Sequence, residues 1–177
     1  MTRTQALYAR FEVFEEQLAH CYFLLHERFI ANPPVAKFWA DSAMEEMEHF
    51  SMLRFCREKG LMAEVEVDPD AADHIEQLLE MTKSIVREPD VSIDDAFYAS
   101  LLMESCEIDE IYGKLIRTLV KDHRLLYDAV VASLRTHHDR FADGAEAYCG
   151  NKTFAEAFRM LGQTERRSLE GARHEMH

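Results

Sequence analysis

In the stretch "DSAMEEMEHFSMLRFC", residues 41–56, Glu46 and His49 stand three positions apart among methionines, phenylalanine and leucine. On a helix that spacing puts both side chains on one face, about 4.5 Å apart along the axis. It is the spacing with which a carboxylate and an imidazole grip one metal ion, and equally that of a salt bridge. The same anomaly recurs along the chain. Glu15 lies four residues after Phe11 and three before Leu18, while Glu104 and Glu107 follow Leu101 and precede Ile108 and Ile111. His137 falls between Leu134 and Phe141. Each is a polar group set into an apolar stripe.

Burying an unpaired carboxylate is costly, and neighbouring carboxylates raise one another's pKa. A divalent or trivalent cation at a bundle centre would compensate them, and oxygen-rich ligation with one or two imidazoles suits iron or manganese. The expected ligand set is Glu15, Glu46, His49, Glu104, Glu107 and His137, with two iron ions expected and a single ion or manganese as alternatives. Adjacent positions stay open. Glu12 and Glu16 rival Glu15, since a small helix rotation exchanges them, and His138 rivals His137. Tyr22 and Tyr112 each follow an acidic cluster within two turns, so each either steadies a ligating carboxylate by hydrogen bonding or packs with its phenol at the bundle edge. The competing reading is a set of helices whose acids face water broadly. His20, His74 and His123 read as surface residues, and Met44, Met47, Met52 and Met103 as gap-filling core or interface residues rather than ligands.

These residues need helices to carry them, and apolar periodicity supplies four long ones. The first runs from about Thr4 to Ala31 with Leu7, Phe11, Phe14, Leu18, Tyr22 and Leu25 on one stripe, and "NPP" at 32–34 ends it. The second spans about Val35 to Lys59 and stops at Gly60. A connection of roughly 30 residues with a short helix, about Ala71 to Val86, leads to the third. That helix starts near Ser92, which with Asp95 forms a relative of the capping box, and breaks near "KDH". The fourth covers about His123 to Ala142, before the soft stretch "ADGAEAYCGNKT", and a last, weaker helix covers Phe154 to Glu170. The pattern predicts an all-α protein: an antiparallel four-helix bundle over residues 1–145, with a long connection between helices 2 and 3, and a C-terminal helical extension over 146–177.

Composition narrows the partners. The 177 residues, 47% hydrophobic, suffice for one globular unit with a sizeable core. With 20 Lys plus Arg against 33 Asp plus Glu, the net charge of -13 repels phosphate backbones and anionic membranes, and favours cations. No run approaches 18 uncharged apolar residues, and the N-terminus passes straight into a charged amphipathic pattern, so the cytoplasm is expected. Cys21, Cys56, Cys106 and Cys149 stand far apart without a Cys-x-x-Cys pair, as buried thiols in a reducing compartment would. A homo-oligomer is expected.

The pattern resembles the ferritin-like di-iron carboxylate superfamily, and within it the rubrerythrin group. "FEVFEEQLAHCY" is similar to the group's first helix, where a ligand glutamate precedes a tyrosine by about two turns, which favours Glu15. "MEEMEHFSMLRF" is similar to the second, with its Glu-x-x-His pair, and "MESCEIDEIY" to the third, with two glutamates one turn apart before a tyrosine. The likeness covers roughly residues 5–60 and 93–141. It implies a non-haem di-iron or iron–manganese oxidoreductase acting on dioxygen or hydrogen peroxide, with ferrous iron oxidation as a related activity. The fourth helix departs from the pattern. Where a second Glu-x-x-His is expected, Leu134 stands three before His137 and Arg135 three before His138. Without a Cys-x-x-Cys there is no rubredoxin-like tail, so electrons would come from an external donor. The alternative is a ferritin-like binding or structural protein whose metal site is reduced to one ion or lost.

Overall fold

The computed structural model describes residues 2–62, 69–107 and 123–174. Among these the chain forms six helices: α1 (Arg3–Arg28), α2 (Pro33–Lys59), α3 (Pro69–Arg87), α4 (Ile93–Glu107), α5 (Arg124–Tyr148) and α6 (Thr153–His174). Local chemistry sets several ends. Thr2 and Gln5 form a capping box before α1. Pro33 and Pro34 open α2 where no amide donor is needed, and Gly60 ends it in the left-handed region at φ 69°. Ser92 and Asp95 cap α4 reciprocally: the Asp95 amide donates to the Ser92 hydroxyl at 3.1 Å, and the Ser92 amide to the Asp95 carboxylate at 3.1 Å.

Contacts between helices fix their directions. Tyr22 meets Trp39 with ring centroids 5.6 Å apart, and Glu12 meets Arg57, so α1 and α2 are antiparallel. Phe38 stacks on Phe97 at 5.1 Å, eight residues before Glu46 approaches Glu104 on the same two helices, so α2 and α4 run in the same direction. Two parallel neighbours require a crossover spanning the bundle, and the long connection between α2 and α4 provides it. Its helix α3 lies along α1 and α4, with Arg10 bound to Asp73 and Glu76 and the Thr82 hydroxyl donating to the Ala99 carbonyl at 3.3 Å. Helix α5 returns antiparallel to α2 and α4, pairing Phe141 with Phe38 and bringing Gly150 to Asp94. Helix α6 folds back on α5, with Phe158 stacked on Phe141 at 5.1 Å and Arg166 bound to Asp139. The result is an all-α, ferritin-like bundle of α1, α2, α4 and α5, carrying the expected long connection and an extra C-terminal helix.

One boundary is corrected. The sequence pattern ends the fourth helix at Ala142 and reads "ADGAEAYCGNKT" as soft, whereas α5 continues through Gly144 to Tyr148. Gly144 does not break the helix; it makes room. A Cβ there would lie 2.5 Å from a ring carbon of Phe38, so the missing side chain lets that ring rest directly on α5. Phe38 is the hub of the aromatic core, touching Trp39, Phe97, Phe141 and Tyr148. Ile108, Ile111, Tyr112 and Leu115, expected further along the third helix, lie outside the described residues.

In an open helix, replacing glycine with alanine gains about 1 kcal/mol. At Gly144 the added methyl collides with a ring held by four neighbours, so Gly144→Ala is expected to destabilise the protein by about 1–3 kcal/mol. A denaturation midpoint equal to or above the parent's would show that Phe38 has room to yield.

Candidate metal centre

The central layer of the bundle brings five of the six expected ligands together in two clusters. Glu15, Glu46 and His49 form one, and Glu46, Glu104 and His137 the other. Within each, one donor atom per residue lies within 4.8 Å of the others, and every member is buried. Glu15 comes from α1, Glu46 and His49 from α2, Glu104 from α4 and His137 from α5. The α2 spacing of three residues sets His49 Nδ1 3.0 Å from Glu46 Oε2, and α1 brings Glu15 Oε2 to 3.9 Å from the same nitrogen. On the other side His137 Nε2 lies 2.8 Å from Glu104 Oε2 and 3.8 Å from Glu46 Oε1. The side chain of Glu107, the sixth expected ligand, lies outside the described residues.

The alternatives at neighbouring positions separate on their partners. Glu12 is buried but engaged by the Arg57 guanidinium on both oxygens, and Glu16 is exposed. His137 and His138 are both buried, yet only His137 joins a donor cluster; His138 Nε2 stays 3.8 Å from Glu104 Oε2. Tyr22 donates its phenolic hydrogen to Glu104 Oε1 at 2.8 Å, one of the two roles its spacing allows. Tyr112 lies outside the described residues. His20, His74 and His123 are exposed.

Sequence reasoning missed Glu45. Its Oε2 lies 2.8 Å from His137 Nδ1 and 2.7 Å from Arg140 Nη2, so it fixes which face of the imidazole turns toward Glu104. The signal was present on both helices. Glu45 stands three residues after Ser42, a marker of the buried face of α2, and Arg140 stands three after His137. Arg140 also donates to the Ser42 hydroxyl at 3.0 Å and lies over the Phe38 and Phe141 rings, tying this network to the aromatic core.

The electrostatics of the two clusters differ. Burial would raise the Glu104 carboxyl, but the charge and hydrogen bond of His137, with help from His138 and Tyr22, take it down to about 2. Burial pulls the other way on His137 also, and Glu104, Glu45 and Glu46 together hold it protonated well above its ordinary value. The pair is an internal ion pair. Glu46 is compensated only in part: burial pushes it up to about 8, against the His137 charge and a hydrogen bond with Glu15, and the Glu104 charge adds to the rise. Burial likewise lowers His49, leaving it neutral.

Those residues fit a metal. Glu46 Oε1 is buried and accepts no hydrogen bond among the described residues, although burial disfavours the ionised form of this carboxyl. A cation is the partner that would let Glu46 ionise, and its two oxygens face the two clusters, Oε2 toward His49 and Oε1 toward His137. The four cysteines are all free, and burial raises the thiols, so none competes as a ready thiolate donor. Among the described residues no helix is long and apolar enough to cross a membrane. In comparisons with known proteins, no family profile, no curated protein and no solved structure matches the chain. What the molecule presents is a ferritin-like helical scaffold holding two buried Glu/His clusters able to chelate metal ions.

The pKa directions set the pH dependence of the metal-free fold. Glu46 and His137 are raised, so both keep protons in the folded chain that the unfolded chain has released, and their contribution is lost as pH rises through the folded values. Between pH 7 and 8.5, Glu104 is ionised and His49 neutral in both states, and the buried thiols of Cys21, Cys56 and Cys149, raised to about 11 to 12, add to the same trend because they keep protons that unfolded thiols begin to release near the top of the window. Stability of the metal-free protein should therefore fall across this window, by roughly 1.4 kcal/mol per pH unit for each extra proton held. Glu46→Gln, permanently neutral, should flatten the slope. Equal slopes in urea titrations of the two proteins would show that Glu46 is already ionised at pH 7.

Proposed function

We propose that this chain is a di-metal carboxylate oxidoreductase of the rubrerythrin kind, holding two irons, or iron and manganese, and acting on dioxygen or hydrogen peroxide. Ferrous iron oxidation is a related activity of the same centre. The observation that carries this reading is that Glu46 belongs to both donor clusters, as a bridging carboxylate must. Glu15 and His49 would hold one ion and Glu104 and His137 the other, with Glu46 shared, and Glu107 remains in the proposed set on its resemblance alone. Bound iron would supply one-electron redox steps and Lewis acidity that no side chain here provides.

The protein's own part is orientation and exclusion of water. Tyr22 holds one oxygen of Glu104, leaving the other to face His137. Glu45 holds Nδ1 of His137 and so directs Nε2 inward. The aromatic layer of Trp39, Phe97 and Phe141 lies to one side of the centre along the bundle and keeps water from entering through that end. Electrons would come from an external donor, since no Cys-x-x-Cys occurs in these 177 residues. We place the protein in the cytoplasm as a homo-oligomer.

A single-ion site is the second reading, favoured by Leu134. It is buried and apolar at the position where the rubrerythrin pattern carries its second α5 donor. The Glu104–His137 ion pair must also be broken before that cluster takes a metal. Anaerobic loading with ferrous iron followed by desalting separates the two. Two irons retained per chain, a sharp loss in Glu46→Ala, and loss of iron-dependent peroxide or dioxygen consumption in Glu104→Ala are expected. One iron per chain, kept in Glu104→Ala and lost in His49→Ala, would favour the single-ion site. Retention unchanged in both Glu46→Ala and His49→Ala would mean that the iron sits on the acidic surface, and would sink both readings.

A further inference from the structure

Beyond the two clusters, on the side of the bundle centre opposite the aromatic core, a cavity of about 150 Å³ opens between α2 and α5. Met52, Leu126, Ala129, Val130 and Leu134 wall it, and His49 of the first cluster forms part of its lining. Its other polar residues are Glu48 and Ser133. Glu48 and Ala129 are exposed, which puts the mouth at the surface, while His49, Val130 and Leu134 are buried and make the floor. Among the described residues no lysine or arginine lines it.

We propose that this cavity is a binding site for one small, uncharged, apolar organic molecule of about benzene size, seated against His49. Its volume is that of an apolar protein cavity that stays dry and accepts benzene, about 150 Å³. An anion would find no cation among the described residues there and would meet Glu48; a strongly polar ligand would find too few partners to repay its dehydration. Leu134 is central to this. An acid in its place would put a charge into the floor, whereas leucine extends the apolar wall up to His137's own helical turn. That the occupant is a substrate of the metal centre rests on the di-metal reading; that it binds does not.

The full-length, metal-free protein tests the binding directly, with benzene near its aqueous saturation as the probe. The ring resonances of His49 in a histidine-labelled sample should shift while those of exposed His20 and His74 stay put, and the thermal midpoint should rise by about 3 °C. Sodium acetate at the same concentration should do neither. Leu134→Phe fills the floor and Ala129→Trp plugs the exposed mouth without touching the core, and each should abolish both responses. Glu46→Gln should keep both while losing iron retention. No response in the parent protein, a response equalled by acetate, or one that survives both filled variants would overturn the proposal. A benzene response in a protein that retains no iron would reject the metal reading and leave this one standing.

Discussion

A carboxyl group shut away from the surface, Glu46, sits where four helices meet, and most of the structure can be read as a response to it. It is fully buried, its neighbours are two further carboxylates and two imidazoles, and burial alone makes its ionised form unfavourable. Without a metal the chain copes by division of charge. Glu104 keeps the negative charge beside a protonated His137, and Glu46 takes a proton. That arrangement is self-consistent but leaves Glu46 Oε1 without a hydrogen bond among the described residues, a defect a packed apolar residue of the same size would not have. An acid so placed is suited to meet a cation.

Holding such a centre requires rigid surroundings, and the aromatic layer supplies them. Phe38, Trp39, Phe97, Phe141 and Phe158 come from α2, α4, α5 and α6, so a shift of any one helix disturbs the same cluster. Gly144 lets Phe38 reach the α5 backbone, and Arg140 lies over Phe38 and Phe141 while bonding Glu45. Arg140 therefore couples the charged centre to the apolar core, as Tyr22 does between Glu104 and Trp39. The long crossover matters for the same reason: only with α2 and α4 parallel do Glu46 and Glu104 come level while Phe38 meets Phe97.

Much of this was legible in the residue pattern because it depends on period. Apolar stripes with a 3.6-residue repeat give the helices, and a proline pair, Gly60 and the Ser92–Asp95 cap give their limits. An acid within a stripe announces itself, which is why Glu15, Glu46 and Glu104 could be picked out. What period cannot resolve is a choice between neighbours on one helix. Glu12 and Glu15 both face inward, and only the tertiary partner separates them, Arg57 for the first and His49 for the second. Glu45 escaped for a related reason: it lies at the edge of the buried face and matters through His137 and Arg140, residues about 90 positions away. Gly144 misled because a glycine in a helix looks the same in sequence whether it breaks the helix or admits a neighbour's ring.

The two clusters are not equivalent, and the difference traces to α5. In the cluster of Glu15, Glu46 and His49 the imidazole is neutral and Glu46 is protonated, so a cation entering there displaces a proton from Glu46. Glu46, Glu104 and His137 already contain a matched charge pair, and a cation entering there must displace the proton on His137 against the pull of Glu104 and Glu45. Leu134 adds to the asymmetry by offering an apolar side chain where another carboxylate would have supplied compensating charge and a further oxygen. Yet the same leucine forms the floor of the cavity beside His49. One leucine thus supplies no oxygen donor on the His137 side of Glu46 and walls apolar space on the His49 side.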